Sequence, residues 1–356
     1  MLTRPPENSK RSKQNETSPY GLYAWFKDFL LGRTQKVKVG SSLSTESAVS
    51  SGIPQGSILG PILFTIFIND LPEGLVNICK IFADDTKLYG NANDSNEIQR
   101  DINKLQDWSD KWNLYFNVSK CKVMHIGRNN PRVEYTMTKD GKTTKIETCE
   151  QETDLGVTFD NKLNFNKHIE TAIGKANKML GLIKRTFSYL NKDTFIKLYK
   201  SLVRPHLEYG NIIWNPLLKK QSVSIEKVQR RATKLLKQCR QMTYQERLNY
   251  LNLYSLKGRR IRGDLIETYK MFNGFTDIDP YTFFEPANTD RTRNPEHKVL
   301  IKHHGTNRMK NVFSHRVAPL WNSLPPNYKT ATNTNTFKNL LDGDKHFICK
   351  FIEFDE

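Results

Sequence analysis

Two adjacent carboxylates dominate the chemistry open to this chain. Asp84 and Asp85 stand in Ile81-Phe82-Ala83-Asp84-Asp85-Thr86-Lys87-Leu88-Tyr89, between the end of one apolar run and the start of another. The pattern predicts two strands joined by a tight turn, with both acids at its tip. Neighbouring carboxylates repel each other, and a divalent cation between them and a phosphate relieves the repulsion. Such a pair suits phosphoryl transfer, in which metal ions activate a hydroxyl and stabilise the departing pyrophosphate. Asp is also common in surface turns, so the dipeptide alone leaves an ordinary turn open.

A second block lies about thirty residues upstream: Ser51-Gly52-Ile53-Pro54-Gln55-Gly56-Ser57-Ile58-Leu59-Gly60-Pro61, running on to Ile68-Asn69-Asp70. Its glycines permit tight turns and close approach of another molecule. Pro61 suits the first turn of a helix, where its missing N–H costs nothing. The apolar run from Ile58 to Ile68 is too short for a bilayer, which needs about 20 residues, and predicts a buried helix. Taken together, the blocks resemble two signatures of reverse transcriptases, the Pro-Gln-Gly loop with its helix and the Phe-Ala-Asp-Asp hairpin. The flanking residues resemble non-LTR, LINE-type retrotransposon polymerases near the jockey-like group, from about Tyr20 onward.

The resemblance implies RNA-directed DNA synthesis primed at a nicked genomic target, by two-metal transfer of a deoxynucleotide to a primer 3′ hydroxyl. Asp84 and Asp85 would hold Mg2+ (or Mn2+). Gln55 and Gly56, with Phe82 and Ala83, would lie against the incoming nucleotide and template base. Phe116-Asn117-Val118-Ser119-Lys120-Cys121-Lys122-Val123-Met124-His125 looks like the next palm block. Lys120 there matches a lysine suited to neutralising the leaving pyrophosphate, although a solvated lysine at a strand edge stays open. Asp154-Leu155-Gly156-Val157 resembles the primer grip, with Leu155 and Gly156 against the primer end; an ordinary strand end stays open here too. The implied partners are an RNA template, a DNA primer or target duplex, and deoxynucleoside triphosphates.

The sequence also departs from the family. An earlier palm strand normally supplies an aspartate in an Asp…Phe-Asp block, and none occurs before Ser51. The only acids in the first fifty residues are Glu7, Glu16, Asp28 and Glu46. Asp28 lies in Trp25-Phe26-Lys27-Asp28-Phe29-Leu30, which resembles the helix after that strand, so it is a poor replacement. The fingers are missing, and the polar residues 1–18 predict disorder. The expectation is a truncated copy or an incomplete gene model, inactive by itself. The alternative function is a non-catalytic nucleic-acid-binding remnant of a decayed element.

Charge points the same way. The net charge is +18, and residues 161–275 hold 24 Lys and Arg against 7 Asp and Glu. A cluster of this kind is the footprint of a phosphate backbone. Without a lipidation signal or apolar anchor, a membrane partner is not expected. Ile169, Ile173, Ala176, Leu180 and Ile183 predict an amphipathic helix. A second follows through Phe195, Leu198, Tyr199, Leu202 and Val203 and stops at Arg204-Pro205. A third carries Ile225, Val228, Ala232 and Leu235, and a fourth, bearing Arg259, Arg260 and Arg262, runs roughly from Leu256 to Phe272. These helices resemble a thumb. Lys175, Lys178, Lys184, Arg185, Arg230, Arg231 and Lys234 would grip the backbone without reading bases.

The expected class is α+β: a partial right-hand polymerase palm (19–160) after the disordered segment 1–18, a mostly helical basic thumb (161–275), and a small C-terminal extension (276–356). Within the extension, Pro280 to Asn294 predicts a linker, His297 to His304 a strand, and Trp321 a core aromatic. Five scattered cysteines, an odd number, with no signal peptide or transmembrane segment, suggest a reducing interior, nuclear or cytoplasmic, and no zinc site.

Overall fold

Short apolar runs before residue 148 and long amphipathic ones after it build two different units. The computed structural model describes residues 19–54, 56–139, 141–287, 298–303, 305–344, 347–348 and 351. The units are Met1–Thr148 and Cys149–Glu356. The expected disordered segment 1–18 lies outside the described residues.

The first unit opens with helix α1 (Pro19–Leu30), which carries Asp28 on an exposed position. Four two-residue strands follow, β1 (Thr34–Gln35), β2 (Lys38–Val39), β3 (Ser42–Leu43) and β4 (Ser47–Ala48), paired β1 with β4 and β2 with β3. Helix α2 (Leu59–Ile68) leads to the hairpin β5 (Ile78–Phe82) and β6 (Asp85–Tyr89), then to helix α3 (Ser95–Trp112). Strands β7 (Lys122–Val123), β8 (Thr136–Lys139), β9 (Lys142–Lys145) and β10 (Glu147–Thr148) complete the unit. Two small apolar clusters hold it together. Ile68, Leu71 and Leu105 bury against Phe64 and Ile81. Ile102, Tyr135, Met137 and Ile146 bury against Leu88, Val118 and Val123.

Helix α2 corrects one expectation. It is apolar all round, yet Ile58, Ile62 and Ile66 are 88%, 52% and 67% exposed. Only the Phe64 and Ile68 side is covered, by the α3 residues Leu105 and Trp108. A stripe at four-residue spacing therefore faces outward instead of being buried.

The second unit starts with the hairpin β11 (Gln151–Asp154) and β12 (Val157–Asp160). Although the palm was expected to extend to residue 160, Val157 is 2% exposed within the helical core of this unit. Helix α4 (Asn166–Thr186) buries Ile169, Ala176, Leu180 and Ile183, as its periodicity predicts. Helix α5 (Lys192–Leu198) then passes through a π-helical turn (Tyr199–Val203) into α6 (Arg204–Glu208). Proline was expected to end this helix; instead the chain stays helical for a further turn. Pro205 cannot donate a backbone bond, and Arg204 N–H reaches back five residues to the Tyr199 carbonyl. The wider turn takes up the mismatch and leaves Leu202 40% exposed instead of facing the core.

Helices α7 (Lys219–Thr233), α8 (Tyr244–Leu251) and α9 (Leu256–Phe272) follow. Leu235 falls beyond α7, and Leu236 takes the buried position. The last helices are α10 (Asn307–Lys310), α11 (Phe313–Asn322), α12 (Pro326–Lys329) and α13 (Thr334–Gly343). Their Trp321, Phe337 and Leu341 are fully buried with Leu265 and Tyr269 of α9. Of the linker expected from Pro280 to Asn294, the described residues 280–287 join this core: Phe284 is 3% exposed, and Pro286 bridges Val299; residues 288–294 lie outside the described residues. Of the strand expected from His297 to His304, only that bridge forms; His297 and His304 lie outside the described residues. Among the described residues no helix is long and apolar enough to cross a membrane.

A buried ion pair joins these helices. Arg316 of α11 donates to both carboxylate oxygens of Asp264 on α9, each at 2.8 Å. Its other bonds reach the carbonyls of Asn311 and Ile212, again at 2.8 Å. Removing one partner strands a buried charge, so Arg316→Ala should cost about 3–5 kcal/mol. Urea unfolding measures this, and a loss below about 1 kcal/mol would show that the pair is dispensable.

His168 gives the same unit a pH dependence. Its Nδ1 accepts from Thr158 N–H at 3.2 Å, and its ring lies 4.9 Å from that of Trp214. Burial, then the charge of Lys175, pushes the imidazole below its ordinary value of 6.5. The folded state thus binds the proton less readily than the unfolded chain. Stability is complete above the ordinary value and falls as the pH drops through the lowered one. Melting midpoints of the second unit should therefore decrease from about pH 7.5 to 5.5, and His168→Asn should flatten that slope.

Candidate active site and nucleic-acid face

Hairpin β5–β6 carries the adjacent acids at its tip. Its register pairs Phe82 with Asp85, Lys80 with Lys87 and Ile78 with Tyr89 on one face. The opposite face sets Cys79 with Leu88 and Ile81 with Thr86, and Ile81 and Leu88 enter the two apolar clusters. Alternation along the strands thus turns Phe82 and Asp85 away from the core. The turn consists of Ala83 and Asp84, with Ala83 at φ 51°. An L-residue there costs roughly 1–2 kcal/mol. Both Asp84 and Asp85 are exposed.

The hairpin is anchored by a residue that sequence reasoning missed. Asp101 of α3 is fully buried and accepts from Asn77 N–H at 2.7 Å, Asn77 Nδ2 at 2.9 Å and Val76 N–H at 3.1 Å. It pins the segment that enters β5. Burial works against its charge, but the hydrogen bonds from Asn77 and Val76 and the nearby Lys104 hold its carboxyl below the usual carboxylate value. An aspartate on the apolar face of α3, between Ile98 and Leu105, was the available signal.

The Pro-Gln-Gly loop is held from both sides. Arg33 donates to the carbonyls of Leu30 at 2.8 Å and Gly52 at 2.5 Å. Ser57 Oγ donates to the Pro54 carbonyl at 2.9 Å and accepts from Gly60 N–H at 3.0 Å, which caps α2. Gly56 takes φ +82°, and a Cβ on Gly60 would meet the Pro54 oxygen at 3.2 Å. Gln55 lies outside the described residues. Lys120 is exposed on a turn closed by its N–H to the Asn117 carbonyl at 2.8 Å. Val118 and Cys121 beside it share an apolar cluster with Leu88 of β6.

Leu155, Gly156 and the basic residues belong to the second unit. Leu155 and Gly156 form the β11–β12 turn, at φ 44° and 81°. Tyr209 OH donates to the Leu155 carbonyl at 2.7 Å, and its ring would stand 3.2 Å from a Cβ on Gly156. Lys175, Lys178, Lys184 and Arg185 are exposed on α4; Arg230 and Arg231 on α7, and Lys234 just after it, are exposed too. Arg231 donates to Asn177 at 3.2 Å, so α7 places its cations beside the α4 turn of Lys175 and Lys178. The arginines of α9 do not add to this face. Arg259 grips Glu208 at 2.9 and 3.0 Å, Arg262 grips Asp342 at 2.7 Å, and the buried Arg260 donates to Ser222 at 3.0 Å.

The family model for reverse transcriptase (RNA-dependent DNA polymerase) matches residues 5–189. The chain belongs to the reverse transcriptase family. Its relatives make it LINE-type. It is 27% identical over 242 residues to the probable RNA-directed DNA polymerase from transposon X-element of Drosophila melanogaster, covering 64% of this chain and 26% of that protein. It is 30% identical over 212 residues to the RNA-directed DNA polymerase from mobile element jockey of Drosophila funebris, covering 53% and 22%. The chain thus spans about a quarter of the length of these relatives. No solved structure matches.

The resemblance implies a divalent metal at Asp84 and Asp85. Among the described residues no three His, Cys, Asp or Glu gather closely enough to hold an ion. Two carboxylates fit one Mg2+ completed by water and substrate phosphates, since that ion keeps much of its hydration and is often bound through one or two carboxylates. Among the described residues no third acidic group joins them to share a second ion.

Gly156→Ala should destabilise the β11–β12 turn by about 1–2 kcal/mol, because a left-handed L-residue is strained and the new Cβ presses on Tyr209. Thermal unfolding of the variant measures it; an unchanged midpoint would mean the turn relaxes freely.

Proposed function

We propose that this chain contributes the catalytic hairpin and the duplex-holding helices of a non-LTR retrotransposon reverse transcriptase. The observation that carries the reading is the β5–β6 tip, which presents Asp84 and Asp85 to solvent beside Phe82. Mg2+ bound there would neutralise phosphate charge during nucleotide addition to a primer 3′ hydroxyl. Asp84 and Asp85 would hold it. Phe82 and Ala83, with Gln55 and Gly56, would bound the space for nucleotide and template. Lys120 would offset the charge on the leaving pyrophosphate. Leu155 and Gly156 would fix the primer end, where small displacements are costly.

The basic face of α4 and α7 supports duplex binding. Its exposed cations need no base contacts to hold any sequence. A second reading, a nucleic-acid-binding remnant without polymerase activity, draws support from the thin ligand set, two carboxylates where a catalytic pair of ions needs more.

Primer extension separates the readings. The purified chain is given an RNA template, a DNA primer, deoxynucleotides and Mg2+, beside the double variant Asp84→Ala, Asp85→Ala. The polymerase reading expects synthesis that disappears in the variant while duplex binding persists. Salt-sensitive duplex binding without synthesis by either protein would establish the remnant instead.

A further inference from the structure

The helical unit contains a cavity of about 240 Å3 lined by Lys200, Arg204, Gln229, Tyr254, Arg259 and Asp342, among others. It lies where the π-helical turn meets α9, and none of its cations belongs to the face assigned above to duplex binding.

The charges around the cavity do not cancel. Arg259 holds both oxygens of Glu208, at 2.9 and 3.0 Å. Arg204 is left with the same carboxylate at a longer 3.4 Å. Arg262 occupies both oxygens of Asp342 at 2.7 Å, which neutralises the one acid in the lining. The Lys200 side chain is exposed and makes no hydrogen bond or ion pair among the described residues. Among the groups that line the cavity or contact its lining, the four cations Lys200, Arg204, Arg259 and Arg262 therefore face three carboxylates, Glu208, Asp342 and Glu226, the last 3.5 Å from Gln229. Burial, together with the charges of Arg259 and Arg262, outweighs Glu208 and holds Arg204 below its ordinary value. A small anion in the cavity would remove that repulsion.

The donor chemistry specifies the anion. A guanidinium fork and a mobile ammonium four residues apart suit a tetrahedral oxyanion. The volume lies below that of ordinary small-molecule sites, about 300–1,000 Å3, which suits a single group of this kind. We propose that this cavity binds one phosphate group through Lys200 and Arg204. Its assignment to a backbone phosphate of a nucleic-acid strand rests on the duplex-binding reading. Lys200 lies within the π-helical turn and Arg204 directly after it, and both line the cavity.

The test uses the full chain, Lys200→Gln and Arg204→Gln, with Lys200→Arg as the conservative control. Inorganic phosphate is titrated at constant ionic strength while the melting temperature is followed. Affinity for a short RNA–DNA duplex is measured across a salt series. The expected result is a saturable rise in the wild-type melting temperature that both Gln variants lose and Lys200→Arg keeps. Duplex affinity should fall about tenfold in Lys200→Gln, with the salt slope reduced by about one. Lys200 is exposed, so this variant reads out even where Arg204→Gln fails to fold. Two outcomes separate this inference from the reading beneath it. Phosphate stabilisation lost in Lys200→Gln, in a chain that binds no duplex, supports the pocket with free phosphate as its ligand and overturns duplex binding. Duplex binding that depends on Lys175, Lys178, Arg230 and Arg231, with phosphate and duplex responses unchanged in both Gln variants, overturns the pocket and leaves duplex binding standing.

Discussion

Burying Asp264 commits the helical unit to Arg316. The carboxylate lies in the middle of α9, 3% exposed, where ionisation is tolerable only beside a well-placed cation. Burial drives its carboxyl up, against the opposing pull of Arg316 and Arg260. Arg316 answers with every face of its guanidinium, to Asp264, Asn311 and Ile212. Helix α11 can dock on α9 in only one register once those bonds form. Glu226 acts similarly one helix earlier. Its carboxylate accepts the N–H groups of Leu256 and Lys257, at 3.0 and 3.3 Å, and so caps α9 from α7. Tyr244, hydrogen-bonded to the same carboxylate, is pushed up strongly by burial and that negative charge. Helix α9 is therefore fixed by charge at its start and in its middle, and the C-terminal helices assemble on a scaffold already oriented.

The hairpin unit relies on the opposite economy. Its buried residues are few, and its catalytic candidates sit on the exposed side of a two-stranded ribbon that is marginal by itself. Asp101 compensates. By gathering the N–H groups of Val76 and Asn77, it fixes where β5 begins, and the register of β5–β6 then sets which face Asp85 occupies. A one-residue slip would turn Asp85 toward the apolar clusters.

What the sequence made legible followed from periodicity and turn chemistry. The Phe-Ala-Asp-Asp hairpin, the buried stripe of α4 and the span of α9 could all be read from spacing. The fate of α2 could not, because an apolar run states that a helix can be buried, not that a neighbour is present to bury it. Nor could the arginines of α9. Their positive charge looked like part of a basic surface, whereas their partners Glu208 and Asp342 lie 51 and 80 residues away in sequence. Long-range ion pairs leave no local pattern, and Asp101 belongs to the same class. Pro205 misled for a different reason: proline removes one hydrogen bond, and the chain can reroute its neighbours by widening a turn instead of ending the helix.

That widened turn makes the segment from Tyr199 to Val203 tolerant of a change in length as well as in composition. Lys200, Ser201 and Leu202 are exposed there, so many side chains fit. An in-frame loss of a single codon there would turn the bond from Arg204 N–H to the Tyr199 carbonyl into an ordinary α-helical one, with the flanking helices still facing as they do, because the wider turn holds one residue more. The same loss inside α5 would be another matter. The residues before it would rotate by about 100° about the helix axis, and Phe195, now fully buried, would be carried out of the core. Copies of this element that lose a codon within the turn can therefore keep the fold, while copies that lose one in the regular helix before it cannot.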